Sequence, residues 1–457
     1  MLIEIKKRAR DSRQDERVRI AFVAANRELL PDPVIPLGLL YVLEACPARH
    51  DRQLLDLCFE PHPEQALREF VRQAAPDLVA LSLRNLQSAD YGEATTNVQA
   101  YRGLVAAIRE VSDAPIVLGG GGYSLLPEAL LETLGADFGV AGEGEVVFPS
   151  LVRAFEEGAD LGQVAGLYRR VDGRVEPPTS WAPFVDLSSL RFPSRRRVDR
   201  RHYARSGIES VQTKRGCPLR CSYCTYPTIE GRRSRLRPAS RVADELEHIR
   251  LEAPEANHFF IVDSVFNLPR AHALAVCDAI RERAIGLPWT CYINPLGFDA
   301  QLAERMRAAG CVGIELGSDS GSDRVLERLR KGFDSAAIRG AHRVARDAGL
   351  LDCHTFLLGT PGETLDEVRR SLDFIADLDC SAAILMVWND DAEALRPASP
   401  GPRAIFREQV LELLREAVQS QARWVAPPLG ERFDARLFGL LRRSGLRGPL
   451  WQHLGDA

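Results

Sequence analysis

The sequence has few of the features that would place it in a membrane, outside the cell or on nucleic acid. It contains no apolar run of the roughly 20 residues needed to cross a bilayer. Its N-terminal stretch lacks the continuous apolar segment of a secretory signal. Acidic side chains outnumber basic ones, 63 to 59, so no basic field is available for nucleic acid. We therefore expect a cytoplasmic protein with no membrane span and no nucleic-acid partner.

Cysteine is too scarce for a disulfide scaffold, with ten residues in a chain of 457. Seven cysteines stand singly in mostly apolar surroundings, which is typical of small buried side chains. These seven are Cys46, Cys58, Cys277, Cys291, Cys311, Cys353 and Cys380. The other three lie close together and need a separate explanation.

The length of the chain and its alternating pattern predict an α/β protein of two or three domains. Over residues 17–160, short apolar runs alternate with helical stretches, which predicts a doubly wound parallel sheet of the Rossmann type. Residues 161–203 are rich in Pro, Arg and Ser and indicate a linker. Residues 204–390 contain six strand–helix repeats and predict a partial (β/α)6 barrel. We expect residues 1–16 to be an extension and residues 391–457 to be a helical region.

Cys217, Cys221 and Cys224 have the spacing Cys-x3-Cys-x2-Cys and follow the first predicted strand of the second domain. A loop of this length can hold three thiolates around one [4Fe–4S] cluster and leaves one iron open for chemistry. A structural zinc site would need a fourth ligand, usually from a second Cys or His pair. No such pair follows at a recognisable distance, so a cluster is favoured over zinc.

The motif resembles the signature of the radical S-adenosylmethionine (SAM) superfamily, in which an aromatic residue precedes the third cysteine. Tyr223 takes that place here. The resemblance implies that SAM binds the open iron through its amino and carboxylate groups. It also implies that an electron donor such as flavodoxin or ferredoxin reduces the cluster, and that a carbon–sulfur bond of SAM is then cleaved.

Residues at later strand ends match positions that contact SAM in this family. They are Asp263, Ser264, Glu315, Ser318, Asp319, Lys331, Gly359 and Gly362. Some also have ordinary structural explanations. Asp263 suits a helix N-cap, Lys331 suits an exposed helix end, and the two glycines suit a tight strand–helix turn. It is their order after the cysteines that supports a SAM site.

The first domain resembles the cobalamin-binding domain that is fused to many radical SAM enzymes. The residues assigned to cobalamin by this resemblance are Ser82, Leu83, Arg84, Asn85, Gly119, Gly120, Gly121, Gly122, Tyr123 and Glu143. A turn of four glycines after a strand leaves room for a large flat ligand to lie against the backbone. A glycine-rich loop also suits a phosphate or dinucleotide, and a degenerate domain without corrin is a further alternative.

One departure concerns the lower face of the cobalt. Cobalamin mutases and methionine synthase carry Asp-x-His-x-x-Gly after the first strand, and the histidine binds cobalt. This sequence has AANRELLPDP there, without histidine. Radical SAM relatives also commonly lack it. The lower face is then open, bound to water, or covered by a residue such as Leu83, Arg84 or Asn85.

Taken together, the resemblances predict a cobalamin-dependent radical SAM methyltransferase that acts on an unactivated carbon of a small natural-product or lipid-like molecule. In this family, one SAM methylates the cobalamin and a second generates a radical on the substrate. The alternatives are a radical SAM enzyme that does not use methylcobalamin, for 3-amino-3-carboxypropyl transfer or rearrangement, and a non-catalytic sensor. After the sixth predicted strand, substrate contacts or a polar loop are expected at Trp388, Asn389, Asp390 and Asp391.

Overall fold

The computed structural model describes residues 17–87, 97–389 and 402–454. Asp390 and Asp391, two of the expected substrate contacts, lie outside these ranges. The described chain forms two compact units. Within these ranges, the first consists of residues 17–27, 36–86 and 97–199, and the second of residues 28–35, 87, 200–389 and 402–454. None of the helices in the described ranges is long and apolar enough to cross a membrane.

The first unit contains a seven-stranded sheet in the order β2-β1-β3-β4-β5-β6-β7. Its strands are β1 Arg19–Ala24, β2 Asp51–Asp56, β3 Leu78–Ser82, β4 Ile116–Gly119, β5 Phe138–Val140, β6 Leu167–Val171 and β7 Arg174–Glu176. Strands β1 to β5 are parallel, which confirms the predicted sheet. The carboxyl ends of these strands therefore meet at one edge, where ligands of such sheets bind.

The described residues of this unit include six helices. They are α1 Leu37–Ala45, α2 Pro63–Ala74, α3 Val98–Arg109, α4 Gly121–Leu125, α5 Pro127–Leu134 and α6 Gly144–Glu157. A core of buried apolar side chains joins α1 and α6 to the sheet, with Phe22 of β1 packed against Phe148 of α6 at 5.4 Å between ring centroids. Burial of these apolar faces is the main force that holds the helices on the sheet.

Most of the predicted linker, residues 161–203, is instead part of the first unit. Strands β6 and β7 form a hairpin that adds to the sheet in the antiparallel direction. Its turn is Asp172-Gly173, both with positive φ (48° and 80°), as a two-residue primed turn requires. Leu167 and Tyr168 at its start are buried. The abundance of Pro, Arg and Ser around it hid an Asp-Gly hairpin signal that the sequence contains.

The second unit contains a parallel seven-stranded sheet in the order β16-β15-β14-β13-β12-β11-β8. Its strands are β8 Ile208–Val211, β11 His258–Ile261, β12 Trp289–Ile293, β13 Cys311–Asp319, β14 Leu351–Leu358, β15 Ala382–Val387 and β16 Trp424–Val425. A small antiparallel hairpin lies outside this sheet, with strands β9 Lys214–Arg215 and β10 Arg235–Leu236. Six of the seven strands match the predicted repeats, and β16 comes from the region expected to be helical.

Ten helices in the described part of the chain accompany this sheet. They are α7 Arg200–Tyr203, α8 Tyr226–Glu230, α9 Ala239–Glu252, α10 Arg270–Glu282, α11 Ala300–Ala308, α12 Asp323–Arg328, α13 Ser335–Asp347, α14 Leu365–Leu378, α15 Pro402–Gln419 and α16 Ala435–Arg443. Helix α14 begins at a capping box. The Thr364 hydroxyl accepts from the backbone amide of Glu367, and the Glu367 carboxylate accepts from the backbone amide of Thr364.

The two faces of the second sheet have different surroundings. Ile314 and Leu316 of β13 and Phe356 of β14 belong to the apolar cores that include the surrounding helices. The other face of β14 and β15 presents Cys353 and Ala382, which pack against Trp451 in the 3-10 turn Leu450–His453. Residues near the C-terminus therefore fill part of the inner face of the sheet.

Candidate functional site

The three-cysteine loop is held at both ends by backbone hydrogen bonds. The Cys217 amide donates to the Gly231 carbonyl at 3.1 Å, and the Ser222 amide donates to the Leu329 carbonyl at 2.9 Å. Gly216, just before the loop, has φ of +83°, and a Cβ there would lie 2.1 Å from the carbonyl oxygen of Arg233. Only glycine fits this position, so the entry to the loop is set by the backbone.

The three thiols are partly shielded from solvent, with Cys217 buried and the other two half-buried. Burial raises the pKa of the Cys224 thiol to about 11. It also raises the pKa of Cys221, against the opposing effect of Lys331. Thiols with raised pKa values stay protonated at neutral pH, so binding of a metal centre must displace protons.

The spacing of the sulfurs argues against a single metal ion. Tetrahedral zinc with Zn–S bonds of about 2.3 Å brings its sulfurs within about 4 Å of one another. In the described ranges, the one set of three ligand atoms that gather within 4.8 Å is His342, Asp352 and His354, and it includes none of the cysteines. Wider spacing suits a cubane cluster, in which each thiolate binds a different iron.

Two of the predicted SAM residues, Asp319 and Lys331, form a buried triad with Tyr223 of the cysteine motif. The Lys331 ammonium lies 2.6 Å from the Asp319 carboxylate. The Tyr223 hydroxyl donates to the same carboxylate oxygen at 2.6 Å and accepts from Lys331 at 3.1 Å. Burial and the Asp319 charge raise the pKa of Tyr223. The end of β13 and the cluster loop are thereby joined through side chains.

Ser318 lies next to Asp319 but its side chain takes a different direction. The Ser318 hydroxyl is fully buried and pairs with Nδ1 of His354 at 2.7 Å. His354 in turn pairs with Asp352 at 2.9 Å, and Asp352 pairs with His342 of α13 at 2.6 Å. The expected contact of Ser318 with SAM stays a prediction. Its hydroxyl points into a polar chain that runs toward helix α13. The physical reason is the β-bulge between Gly317 and Asp319, which interrupts the alternation of side chains along β13.

Asp263, at the end of β11, is fully buried and already has its own hydrogen-bond donors. One carboxylate oxygen accepts from the amides of Thr213 at 2.7 Å and Lys214 at 3.2 Å, and the other accepts from the Thr213 hydroxyl. Burial raises the pKa of Asp263, while the neighbouring Lys214 opposes the rise. Contact with the amino group of SAM stays a prediction, since the bonds observed position the chain that enters the cysteine loop.

Among the buried polar atoms that have no hydrogen-bond partner in the part of the chain that the structure describes, two follow strands of the second sheet. They are Oγ of Ser264, at the end of β11, and Nε1 of Trp388, directly after β15. Trp388 also packs edge-on against Tyr223, with ring centroids 6.3 Å apart. Buried polar atoms without partners cost free energy, so both suit a site that is completed by a bound molecule. The residues present therefore fit SAM.

Glu315 lies in the middle of β13 and faces the C-terminal turn. Its Oε1 accepts from the indole nitrogen of Trp451 at 2.9 Å. Burial raises the pKa of Glu315 to about 7, and the hydrogen bond from Trp451 opposes the rise. No observation on these residues tests the expected contact between Glu315 and SAM, which stays a prediction.

Gly359 and Gly362 form the turn after β14 and both have positive φ, 77° and 78°. The Gly362 carbonyl accepts from Arg328 at 2.6 Å, and Glu363 accepts from the Thr360 amide at 2.8 Å. These contacts explain the glycines as elements of a tight strand–helix turn. Their predicted place beside SAM stays a prediction.

At the carboxyl edge of the first sheet, the loops after β3 and β4 lie against each other. A Cβ on Gly120 would lie 2.5 Å from the Leu83 carbonyl oxygen, and one on Gly122 would lie 3.0 Å from the Arg84 carbonyl oxygen. Gly120 has φ of 94° and ψ of 173°, a region that only glycine adopts readily. The glycines are therefore required by the contact between the two loops. This requirement differs from the bare surface that the sequence predicted for a ligand.

The neighbouring loops are tied together by two hydroxyls that the sequence analysis did not single out. Ser124 donates to the Gly120 carbonyl at 2.8 Å and accepts from the Gly142 amide at 2.8 Å. The Tyr101 hydroxyl donates to the Asn85 carbonyl at 2.6 Å. Such bonds hold the edge loops in one arrangement before a ligand binds.

The side chain of Tyr123 is fully buried, and its expected contact with cobalamin stays a prediction. A Cβ on Gly139 of β5 would lie 1.8 Å from the Tyr123 hydroxyl, so the ring lies over that glycine. Burial raises the pKa of Tyr123. The side chain belongs to the core because the short helix α4 turns it toward the sheet.

The other predicted cobalamin residues keep positions at or near this edge. Arg84 is exposed, and Glu143 accepts from the Val185 amide at 2.9 Å. Asn26, just after β1, has a buried amide nitrogen with no partner within the described ranges. An unpaired donor suits the amide oxygens on the side chains of a corrin. The edge therefore fits cobalamin, although Ser82, Gly119 and Gly121 show no contact that tests their assignment.

Comparison with known proteins connects both sites to one family. The Radical SAM superfamily matches residues 211–375, and the B12 binding domain matches residues 27–152. A tryptophan 2-C-methyltransferase of Streptomyces laurentii is 30% identical over 422 residues, which cover 78% of this chain and 70% of that protein. The chain belongs to the cobalamin-dependent radical SAM methyltransferases.

Solved structures of such methyltransferases have the same fold. TsrM of Kitasatospora setae, with cobalamin and a [4Fe–4S] cluster bound, has a TM-score of 0.83 at 26% identity and covers 96% of this chain and 98% of its own. A TsrM structure with tryptophan and the SAM analogue aza-SAM has a TM-score of 0.72 at 30% identity, covering 80% and 72%. The predicted family, fold class and enzyme class are confirmed.

Several residues that shape the methyltransferase site were missed by sequence reasoning. Thr213 binds Asp263, and His272 approaches the Thr213 carbonyl with Nε2 at 3.1 Å. Trp451 comes from a C-terminal segment with no motif. The sequence contains one signal for such polar contacts, which is Tyr223 in the cysteine motif. Its hydroxyl needs a hydrogen-bond partner when it is buried.

Proposed function

We propose that this methyltransferase transfers a methyl group to a carbon atom of a small, flat molecule that carries a hydrogen-bond acceptor. The observation that carries the proposal is the pair formed by Trp388 and Tyr223, with an indole nitrogen that lacks a partner in the described ranges. Aromatic faces and edges stack against flat ligands, and a buried donor selects molecules with an acceptor at the right place. The relatives named for tryptophan support this class of substrate.

The cluster is proposed to be held by Cys217, Cys221 and Cys224. When bound, the cluster supplies an electron to SAM and cobalamin carries a methyl group. The protein's own contribution is to fix the loop through the Gly231 and Leu329 carbonyls and to shield the thiols from water. Shielding strengthens every charge interaction at the site.

SAM is proposed to lie against the ends of β11 and β13 in the second unit. Ser264 offers a hydroxyl without a partner among the described residues, and Lys331 offers a buried ammonium for a carboxylate. A charge-assisted hydrogen bond from Lys331 orients such a group more strongly than a neutral donor would. Asp263 orients the chain before the loop and keeps water from it.

Cobalamin is proposed to lie at the carboxyl edge of the first sheet, against the loops around Leu83 and Gly120. We also propose a flavodoxin or ferredoxin as electron donor, because a low-potential cluster needs a one-electron reductant. A cytoplasmic location agrees with ten cysteines that form no disulfide with one another.

The test uses anaerobically reconstituted enzyme with cobalamin, reductant and SAM that carries a trideuterated methyl group. We expect mass spectrometry to find the intact label on carbon in indoles or other small heteroaromatic acids when these are offered in a mixture with aliphatic acids. The Cys221→Ala variant should lose the iron and this product. Label that appears only in aliphatic molecules without an aromatic ring would contradict the proposed substrate class. Cleavage of SAM without transfer of its methyl group would contradict methyl transfer itself.

A further inference from the structure

The triad of Tyr223, Asp319 and Lys331 lies directly beside the cluster ligands and has no role in holding them. Tyr223 directly precedes Cys224, so its ring is part of the cluster loop. Its hydroxyl is bonded to both members of an ion pair, at 2.6 Å to Asp319 and 3.1 Å from Lys331. Both charged side chains are almost fully buried, at 4% and 5% exposure.

Buried charges next to a redox centre act on it strongly because little water screens them. The Lys331 ammonium also lies over the rings of Tyr223 and Phe333, 5.4 Å from each centroid, which fixes its position. The two charges have opposite signs, so their effects on a nearby cluster oppose each other.

Asp319 has a backbone conformation that costs free energy. Its φ is +62°, a left-handed conformation that is uncommon outside glycine and costs on the order of 1 kcal/mol or more. The bulge at Ser318 and the hydrogen bond between Ser318 and His354 anchor the residue that precedes Asp319. The chain therefore directs one carboxylate toward the lysine and the tyrosine.

We propose that Tyr223, Asp319 and Lys331 form a charge-balancing triad that sets the reduction potential of the [4Fe–4S] cluster, with the Tyr223 hydroxyl coupling the cluster loop to the ion pair. The inference rests on the proposed cluster ligands. The step concerned is the transfer of one electron from a flavodoxin- or ferredoxin-type donor to the oxidised cluster. Added negative charge on the cluster is stabilised by Lys331 and destabilised by Asp319.

The test is a redox titration of the reconstituted holoenzyme, followed by electron paramagnetic resonance of the reduced cluster. Asp319→Asn leaves the lysine charge uncompensated, so the ratio of reduced to oxidised cluster at a fixed potential should rise about tenfold, or about 59 mV for one electron. Lys331→Met should shift the midpoint in the opposite direction. Lys331→Arg keeps the charge and should restore the wild-type midpoint.

Coupling through the hydroxyl is tested by Tyr223→Phe, which keeps the ring. The shift in midpoint potential that Asp319→Asn causes should differ between the wild-type and Tyr223→Phe backgrounds, as expected for interacting residues. The control is Arg324→Gln on α12, a cation with 63% side-chain exposure that should leave the midpoint unchanged.

Equal midpoints in all variants that carry an intact cluster would overturn the inference and leave the cluster assignment standing. A wild-type protein that assembles no four-iron cluster would overturn both. If Asp319→Asn fails to assemble a cluster, the lowered midpoint expected for Lys331→Met and the unchanged midpoint expected for Lys331→Arg still decide the question.

Discussion

Asp263 matches a SAM-binding position of the family, but in the structure its carboxylate is bonded to other residues of the chain. The resemblance places it beside SAM, whereas the structure places its oxygens on Thr213 and Lys214. A buried acceptor with three donors cannot be removed without leaving those donors unpaired. Replacement of Asp263 should therefore first disturb Thr213 and Lys214, which lead into the cysteine loop.

We expect Asp263→Asn to lower the free energy of unfolding of the second unit by about 1–3 kcal/mol, because an amide cannot accept all three bonds. Iron content after reconstitution should fall as well. Urea denaturation of the cluster-free protein and iron analysis measure the two effects. Asp366→Asn, with 82% side-chain exposure, is the control. Weaker SAM binding with unchanged stability and iron content would instead identify Asp263 as a SAM contact.

Glu315 makes stability depend on pH near neutrality. Its pKa is raised by burial to about 7 in the folded chain, above the ordinary value of 4.5. The folded state then binds more protons than the unfolded state between these two values. Protonated Glu315 therefore contributes its full stability below about pH 4.5, the pKa of the unfolded chain. This contribution is lost as the pH rises through about 7, the pKa of the folded chain.

Glu315→Gln should remove this dependence and keep an acceptor for Trp451. Above about pH 7 the variant should be more stable than the wild type by up to about 3 kcal/mol, and the difference should vanish toward about pH 4.5. Urea denaturation at several pH values measures this, with the exposed Glu304→Gln as control. A wild-type protein whose stability is flat across this range would show that Glu315 is ionised in the folded state.

At the scale of elements, the loops after β3 and β4 form the base of the proposed cobalamin site. Gly120 and Gly119 are adjacent but differ in what surrounds them. A Cβ on Gly120 would meet backbone at 2.5 Å, whereas one on Gly119 would meet its nearest atom at 3.7 Å. The pair offers a matched comparison.

Gly120→Ala should cost about 1–3 kcal/mol in the stability of the first unit because of its φ and its contact with Leu83. Cobalamin affinity should fall with it, about tenfold or more. Gly119→Ala should be close to wild type in both. Denaturation and titration with cobalamin, followed by absorbance, measure the effects. Equal effects of the two substitutions would contradict the role assigned to the loop contact.

Strands and the cysteine loop could be predicted from the sequence because they depend on local patterns. The direction of Ser318 could not, because a bulge inserted after Gly317 changes which side chains share a face. The hairpin after residue 166 was missed although Asp172-Gly173 signals it, since its strands are short and flanked by Pro and Arg. Trp451 is distant in sequence from Glu315, and no local pattern relates them.

At the scale of the whole molecule, two units supply sites of different chemistry. The first provides a parallel sheet edge with tightly packed glycine loops, and the second provides three thiols beside a buried triad. Neither site alone explains methyl transfer to carbon. The central claim is therefore that one chain holds both a cluster and a cobalamin that accepts a methyl group from SAM.

That claim is tested most directly by giving purified protein, loaded with cobalamin and cluster and reduced, SAM with a radioactive methyl group. The corrin is then separated and counted. The account predicts stoichiometric label in the corrin of the wild type. At a cobalamin concentration that just saturates the wild type, it predicts less bound corrin and less label in Gly120→Ala. Protein prepared with ample cobalamin that contains none, and binds none on titration, would contradict the account.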